Sequence, residues 1–228
     1  MKRFFLQKHI DYLIILVLFV IPPVFASGES SSFSPAAPFL SLLLHAALCA
    51  YIICKNKFVN EVNEACKKRT WQINNKLVTV CAIGAILAFC MLMMNSFAWN
   101  AAAAFFGANQ ANQTNHNDIS KIMPVGAAET AYSVVSLLVA ALYEELLYRR
   151  FLPDEAKSFL PASLKVRIVA EILIIAVFAL GHRYLGVWAV LNAFTAGCIL
   201  RFFCVRTSSV VPGFVAHFVY NVIMFFVL

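Results

Sequence analysis

The chain has 228 residues, 62% of them hydrophobic and only 13% charged, with a formal charge of +7. A soluble domain of this size carries roughly twice that charge density, so an ordinary water-soluble globule is excluded. The cations sit in short flanks between apolar runs without interleaved aromatics, which excludes a nucleic-acid surface and fits a membrane protein with positive cytoplasmic loops.

In chain order, apolar runs predict spans near residues 10–26, 38–54, 77–99, 127–152, 167–182, 185–204 and 209–228. The fold class is therefore all-α, a polytopic membrane bundle of about seven transmembrane helices forming one integral domain. The first run is preceded by Lys2 and Arg3 and followed by Val24-Phe25-Ala26. That pattern resembles a secretory signal, but a retained first span is the favoured reading; Asp11 and Pro22-Pro23 fit either. Residues 27–37 (Ser- and Pro-rich) and 107–121 (Asn- and Gln-rich) read as linkers. Asn112-Gln113-Thr114 has the form of a glycosylation sequon.

If seven spans alternate, sixteen of the eighteen Lys and Arg residues fall on one side. These include Arg149 and Arg150 after span four and Arg201 and Arg206 after span six. Only Lys121 and Arg183 fall opposite, so the N-terminus is expected in the cytoplasm. None of the seven cysteines forms a C-x-x-C pair; they read as free thiols in packing roles.

Ionisable groups inside spans are expensive and point to function. Those expected here are His45, Glu129, Glu144, Glu145, Glu171, His182 and His217, with Asn192 and Asn221 as notable amides. Glu145 and Arg149 are four apart and can pair along one helix face. That would leave Glu144, about 100° away on a regular helix, on a different face. The alternative is an interfacial ion cluster that only anchors the helix. His182, ending Phe178-Ala179-Leu180-Gly181-His182, reads equally as a helix-end residue. His217 and Asn221 share a face of span seven, which also suits an interhelical hydrogen bond. His45 is a further candidate ligand, or a helix-contact histidine in span two. At about 1.5 Å rise per residue, Glu144 lies roughly 8 Å from the cytoplasmic edge, His217 roughly 16 Å and His182 roughly 22 Å. These depths converge if span four runs on past Arg150 towards Pro153 and span five starts below the interface, near Glu171.

Glu144-Glu145-x-x-x-Arg149, Phe178-x-x-x-His182 and His217-x-x-x-Asn221 occur in that order along the last four spans, and Arg206 to Gly213 lead into the last of them. This set resembles the CPBP/Abi superfamily, which includes type II CAAX prenyl proteases. The resemblance covers roughly residues 127–225, so residues 127–228 read as a catalytic helix bundle; residues 1–126 carry spans without a readable signature. One departure is Arg150, where many members have Gly.

The resemblance implies an intramembrane endopeptidase acting through a glutamate-activated water on a membrane-anchored peptide or protein. By position, Glu144 would be the general base, His182 would orient the water, and His217 and Asn221 would stabilise the oxyanion. Glu145 and Arg149 would support the helix structurally, with Phe178 packing beside them. No cofactor is expected on this reading. The metal alternative is a zinc set of Glu144, His182 and His217, without an H-E-x-x-H motif. G-x-G-D and G-x-S-x-G motifs are absent, which argues against aspartyl and serine intramembrane proteases. A non-catalytic immunity or scaffold protein on the same fold is the other reading, and a small transporter a third. The expected location is a bacterial inner membrane.

Overall fold

The computed structural model describes residues 10–25, 36–65, 75–107, 124 and 126–226. Most of both linkers, the sequon, Cys66 and the cations Lys2, Arg3, Lys8, Lys67, Lys68, Arg69 and Lys121 lie outside them. Seven helices make up the described chain: α1 Ile10–Phe25, α2 Ala36–Ala65, α3 Asn75–Phe105, α4 Ala127–Phe159, α5 Leu164–Leu180, α6 Val187–Thr207 and α7 Val211–Phe226. No strand occurs among the described residues. A short 3-10 turn, Arg183–Leu185, joins α5 to α6.

Three stretches, Val78–Phe105 of α3, α4 and α6, are long and apolar enough to cross a membrane by length and composition. Three shorter apolar stretches, Ile10–Phe25, Phe39–Lys55 and Val211–Phe226, join them. Large apolar side chains cover the outside of the bundle, among them Leu18, Ile86, Met94, Phe97, Leu173 and Phe202. In water that surface would be a severe aggregation hazard; in a bilayer it is the solvent-facing surface. The all-α membrane bundle read from the sequence is the observed fold.

The core is built around α4, which packs against α2 and α7, while α3 packs on α6 and α7, and α5 on α6. Glycines permit the closest approaches. A Cβ on Gly197 of α6 would stand 2.9 Å from Ile175 Cγ2 of α5, and one on Gly84 of α3 would stand 3.3 Å from Thr207 Cγ2.

Two helices contain π turns, and proline accounts for both. Proline lacks an N–H, so the carbonyl four residues earlier loses its donor and is also crowded by the ring. In α1, Pro23 does this to Phe19, and the helix widens over Leu16–Val20. The Tyr143 hydroxyl of α4 donates to that Phe19 carbonyl at 2.8 Å. In α4, Pro153 does the same to Arg149, and the helix widens over Glu145–Phe151.

Span four thus runs beyond the expected end at 152, through the π turn, to Phe159. Glu144 lies fifteen residues before that end, about 22 Å along the axis at 1.5 Å per residue. The shallow depth expected for it came from taking Arg149 as an interfacial marker. Arg149 is fully buried, and Arg201 lies inside α6, part-buried against Glu171. Both drop out of the count of loop cations. Glu129 lies in the first turn of α4, exposed, where a carboxylate suits the helix dipole.

The N-terminal helices are tied to α4 by charge as well as packing. Lys55 Nζ of α2 lies 3.1 Å from Glu155 Oε1 of α4 and 3.7 Å from Asp11 Oδ2 of α1. Tyr51 donates to the same Asp11 oxygen at 2.7 Å. The six cysteines that fall among the described residues are free thiols, with Cys49 and Cys204 buried.

The Tyr143–Phe19 bond is a test of this account. Tyr143→Phe keeps the ring and removes the hydroxyl that donates to that carbonyl. Thermal unfolding in detergent should show a loss of about 1 kcal/mol.

Candidate active site

Glu144 and Glu145 stand where α4 passes from α-helix into its π turn. Glu145 is fully buried, and so is Arg149 one turn on. Arg149 Nη2 lies 3.6 Å from Glu145 Oε1, so the expected pairing is present. The same Oε1 accepts from His217 Nδ1 of α7 at 3.1 Å. The other imidazole nitrogen, Nε2, lies 3.7 Å from Glu144 Oε2. The two carboxylates therefore converge on opposite nitrogens of one histidine. They reach it from different sides, Glu145 fully buried and Glu144 partly exposed, so the two acids lie on different faces of α4 and still share one histidine.

Glycine makes this possible. A Cβ on Gly213 of α7 would stand 2.8 Å from Glu145 Oε2, well inside any real contact. Only at glycine can α7 come close enough to α4 for His217 to meet both acids. Gly213 carries the functional constraint that sequence reading assigned only to the approach to the last motif.

Phe178 joins the second motif to the first. Its ring lies under the Arg149 guanidinium, 4.2 Å from centroid to Cζ, a desolvated cation–π contact. Its carbonyl accepts from His182 Nδ1 at 3.1 Å, and the two rings meet edge to face at 5.0 Å. A carbonyl can only accept, so His182 carries its proton on Nδ1. Neutral His182 then presents Nε2 as an acceptor.

His182, His217 and Asn221 all line one cavity of about 270 Å³, with Phe178 and Asn192. Glu144 is not on that lining; it adjoins it through His217, and no contact joins it to His182. Its side chain keeps 23% exposure, against none for Glu145. One carboxylate is thus sealed into an ion cluster and the other is reachable.

The far wall of the cavity comes from α3, one of the spans without a readable signature. Asn95 Nδ2 donates to Asn192 Oδ1 at 2.6 Å, and Thr195 Oγ1 donates to Asn95 Oδ1 at 2.6 Å. Trp99 Nε1 donates to Thr195 Oγ1 at 2.9 Å. Asn95 was missed in the sequence because a single amide in an apolar run has no motif around it. His45 stays apart: its ring lies tilted against Tyr143, 4.2 Å between centroids, and its Nδ1 meets Ser41 Oγ at 3.3 Å. It is a helix-contact histidine.

Glu144, His182 and His217, the alternative zinc set, are not gathered into one group. Among the described residues, no group of three or more His, Cys, Asp or Glu is arranged to hold a metal ion. The Nδ1 atoms of His217 and His182 are held by Glu145 and by the Phe178 carbonyl, which leaves both Nε2 atoms free.

Residues 126–223 match the family described as Rce1-like, type II CAAX prenyl endopeptidase Rce1-like. No curated protein and no solved structure matches the chain. The matched segment spans α4 to α7 and contains Glu144, Glu145, Arg149, Phe178, His182, His217 and Asn221, but not Asn95.

The ion cluster predicts a sharp difference between the two acids. Glu145→Ala should destabilise by about 3–5 kcal/mol, because it leaves the Arg149 cation buried and unpaired. Gly213→Ala should cost about 1–3 kcal/mol through overpacking against Glu145. Folded yield by size-exclusion chromatography and the thermal midpoint check both.

Proposed function

We propose that this chain, a CAAX-protease-like (CPBP/Abi) membrane protein by its residues 126–223, hydrolyses a peptide bond in a membrane-anchored peptide or protein by glutamate-activated water. The family is one of endopeptidases. The observation that carries the mechanistic reading is the division of labour between Glu144 and Glu145 on one imidazole.

Glu145 is committed to Arg149 and His217, which suits a structural anion. Glu144 retains access and is left as the general base. It takes a proton from a water; the water oxygen adds to the scissile carbonyl carbon; the C–N bond then breaks as the proton passes to the leaving amine. His182, with its Nδ1–H on Phe178, offers Nε2 to orient the water. His217, with Nδ1 on Glu145, directs Nε2 towards the reacting centre, where its protonated form is a donor. Asn221 adds an amide donor from the next turn of α7. Fixed donors of this kind are strong where bulk water is excluded.

The substrate class follows the site's position between bilayer-crossing helices, which a tethered polypeptide reaches most easily. A cytoplasmic N-terminus, a cavity open to the cytoplasm and a bacterial inner membrane complete the reading.

Cleavage of a membrane-anchored reporter peptide by purified protein in nanodiscs tests it. Glu144→Gln should abolish turnover while leaving the elution profile unchanged. Asn221→Ala should lower kcat by about 10²- to 10³-fold, as for loss of one oxyanion donor. A chelator should have no effect. Full activity of Glu144→Gln would overturn the assignment of this residue as the base; no cleavage by wild type, with immunity that survives Glu144→Ala, would favour a non-catalytic immunity or scaffold role. Loss of activity on chelation, restored by zinc, would overturn the metal-free mechanism.

A further inference from the structure

The π turn that presents the two acids is held from outside by a residue that belongs to none of the three motifs. Pro153 is fully buried and removes the α-helical donor that the Arg149 carbonyl would otherwise have four residues on. The turn's own bonding runs one residue longer, Leu152 N–H to Leu147 O. The Arg149 carbonyl instead meets α6, where Arg201 Nη1 donates to it at 2.6 Å and Cys204 Sγ lies at 3.6 Å.

Arg201 is itself fixed. Its Nε donates to Glu171 Oε2 of α5 at 2.5 Å, and its Nη2 donates to Glu171 Oε1. This is the two-point fork that guanidinium and carboxylate form best. Lys157 of α4 adds a second cation 3.7 Å from Glu171 Oε1. The Arg201 side chain is only 11% exposed. One guanidinium therefore joins α4, which carries the acids, α5, which carries Phe178 and His182, and α6, which walls the cavity.

We propose that Arg201, oriented by Glu171, is a positioning residue that locks the π register of α4 and thereby sets Glu144 against His217. The inference rests on the reading of Glu144 as the base. A buried carbonyl must be paired, and Pro153 denies this one its ordinary α-helical donor. Without Arg201 the turn has a reason to shift, to find another donor or to expose the carbonyl. Glu144 immediately precedes that turn, and an ångström of misplacement at a catalytic group costs on the order of 10²-fold in rate.

The experiment compares wild type, Arg201→Leu, Arg201→Lys, Glu171→Gln and the double variant Arg201→Leu with Glu171→Gln. All are assayed in nanodiscs for kcat and KM on the anchored reporter, and for amide hydrogen exchange over residues 149–156. Arg201→Leu should lower kcat by about 10²-fold, leave KM within about twofold and speed exchange in that segment. Arg201→Lys, which keeps one donor but not the fork, should recover part of both. The double variant should be no worse than Arg201→Leu, because both changes act through one contact.

Unchanged exchange and unchanged kcat in Arg201→Leu would overturn the proposal. So would a parallel fall in yield and kcat that Arg201→Lys does not relieve, which marks a general packing role. If Arg201→Leu does not fold, the Lys and Glu171→Gln variants decide by the same readouts. Should wild type show no cleavage, the protease reading fails separately, and exchange alone decides the clamp: faster exchange in the turn supports it, and wild-type exchange overturns it.

Discussion

A carboxylate with no solvent exposure in the middle of an apolar bundle is costly unless its partners are already in place. Glu145 is such a group, and most of the C-terminal half is arranged to receive it. Arg149 approaches from its own helix and His217 from α7. Gly213 surrenders its side chain so that α7 can come near. Phe178 covers the guanidinium from α5. Removing any one partner leaves charge stranded in low dielectric, so the cluster selects a single packing of α4, α5 and α7. The site residues are therefore positioned by the same interactions that decide the fold.

Proline gives α4 and α1 a common device. In each, a ring without an N–H forces a widened turn, and the freed carbonyl becomes a socket for a side chain from elsewhere. Tyr143 fills the socket on α1 and Arg201 the one on α4. A helix defect is thereby converted into an interhelical hydrogen bond, which is worth having where lipid supplies no competing donor. Because Tyr143 directly precedes Glu144, the first helix is anchored one residue from the acids. Lys55, between Asp11 and Glu155, anchors it again at the other end of the shared interface.

The helix number and approximate spans were legible because long, almost uncharged apolar runs have little use outside a bilayer. The three polar motifs were legible because each places costly groups in such runs. What could not be read was their mutual geometry. Periodicity set Glu144 and Glu145 on different faces without showing the histidine that bridges them, and it treated Arg149 as an edge marker, which the run of α4 to Phe159 undoes. Pro153 was the available signal, since its effect on the carbonyl four residues back is local chemistry. Arg201 and Glu171 were harder. They sit thirty residues apart, and a lone cation near a span's end looks like an orientation signal until its carboxylate is seen. Asn95 had no signal at all, because its role depends on which helix it faces.

Phe178 serves two masters with different atoms: its ring supports Arg149, and its carbonyl holds the tautomer of His182. Neither function tolerates much sliding, since a ring must stay under its cation and an acceptor must stay in line with its donor. A small axial travel of α5 would thus loosen the acid cluster and release the second imidazole at the same moment. In the proposed enzyme, that makes α5 a natural throttle: bilayer thickness or lateral pressure acting on this one rod would dim the whole centre together instead of blurring its selectivity.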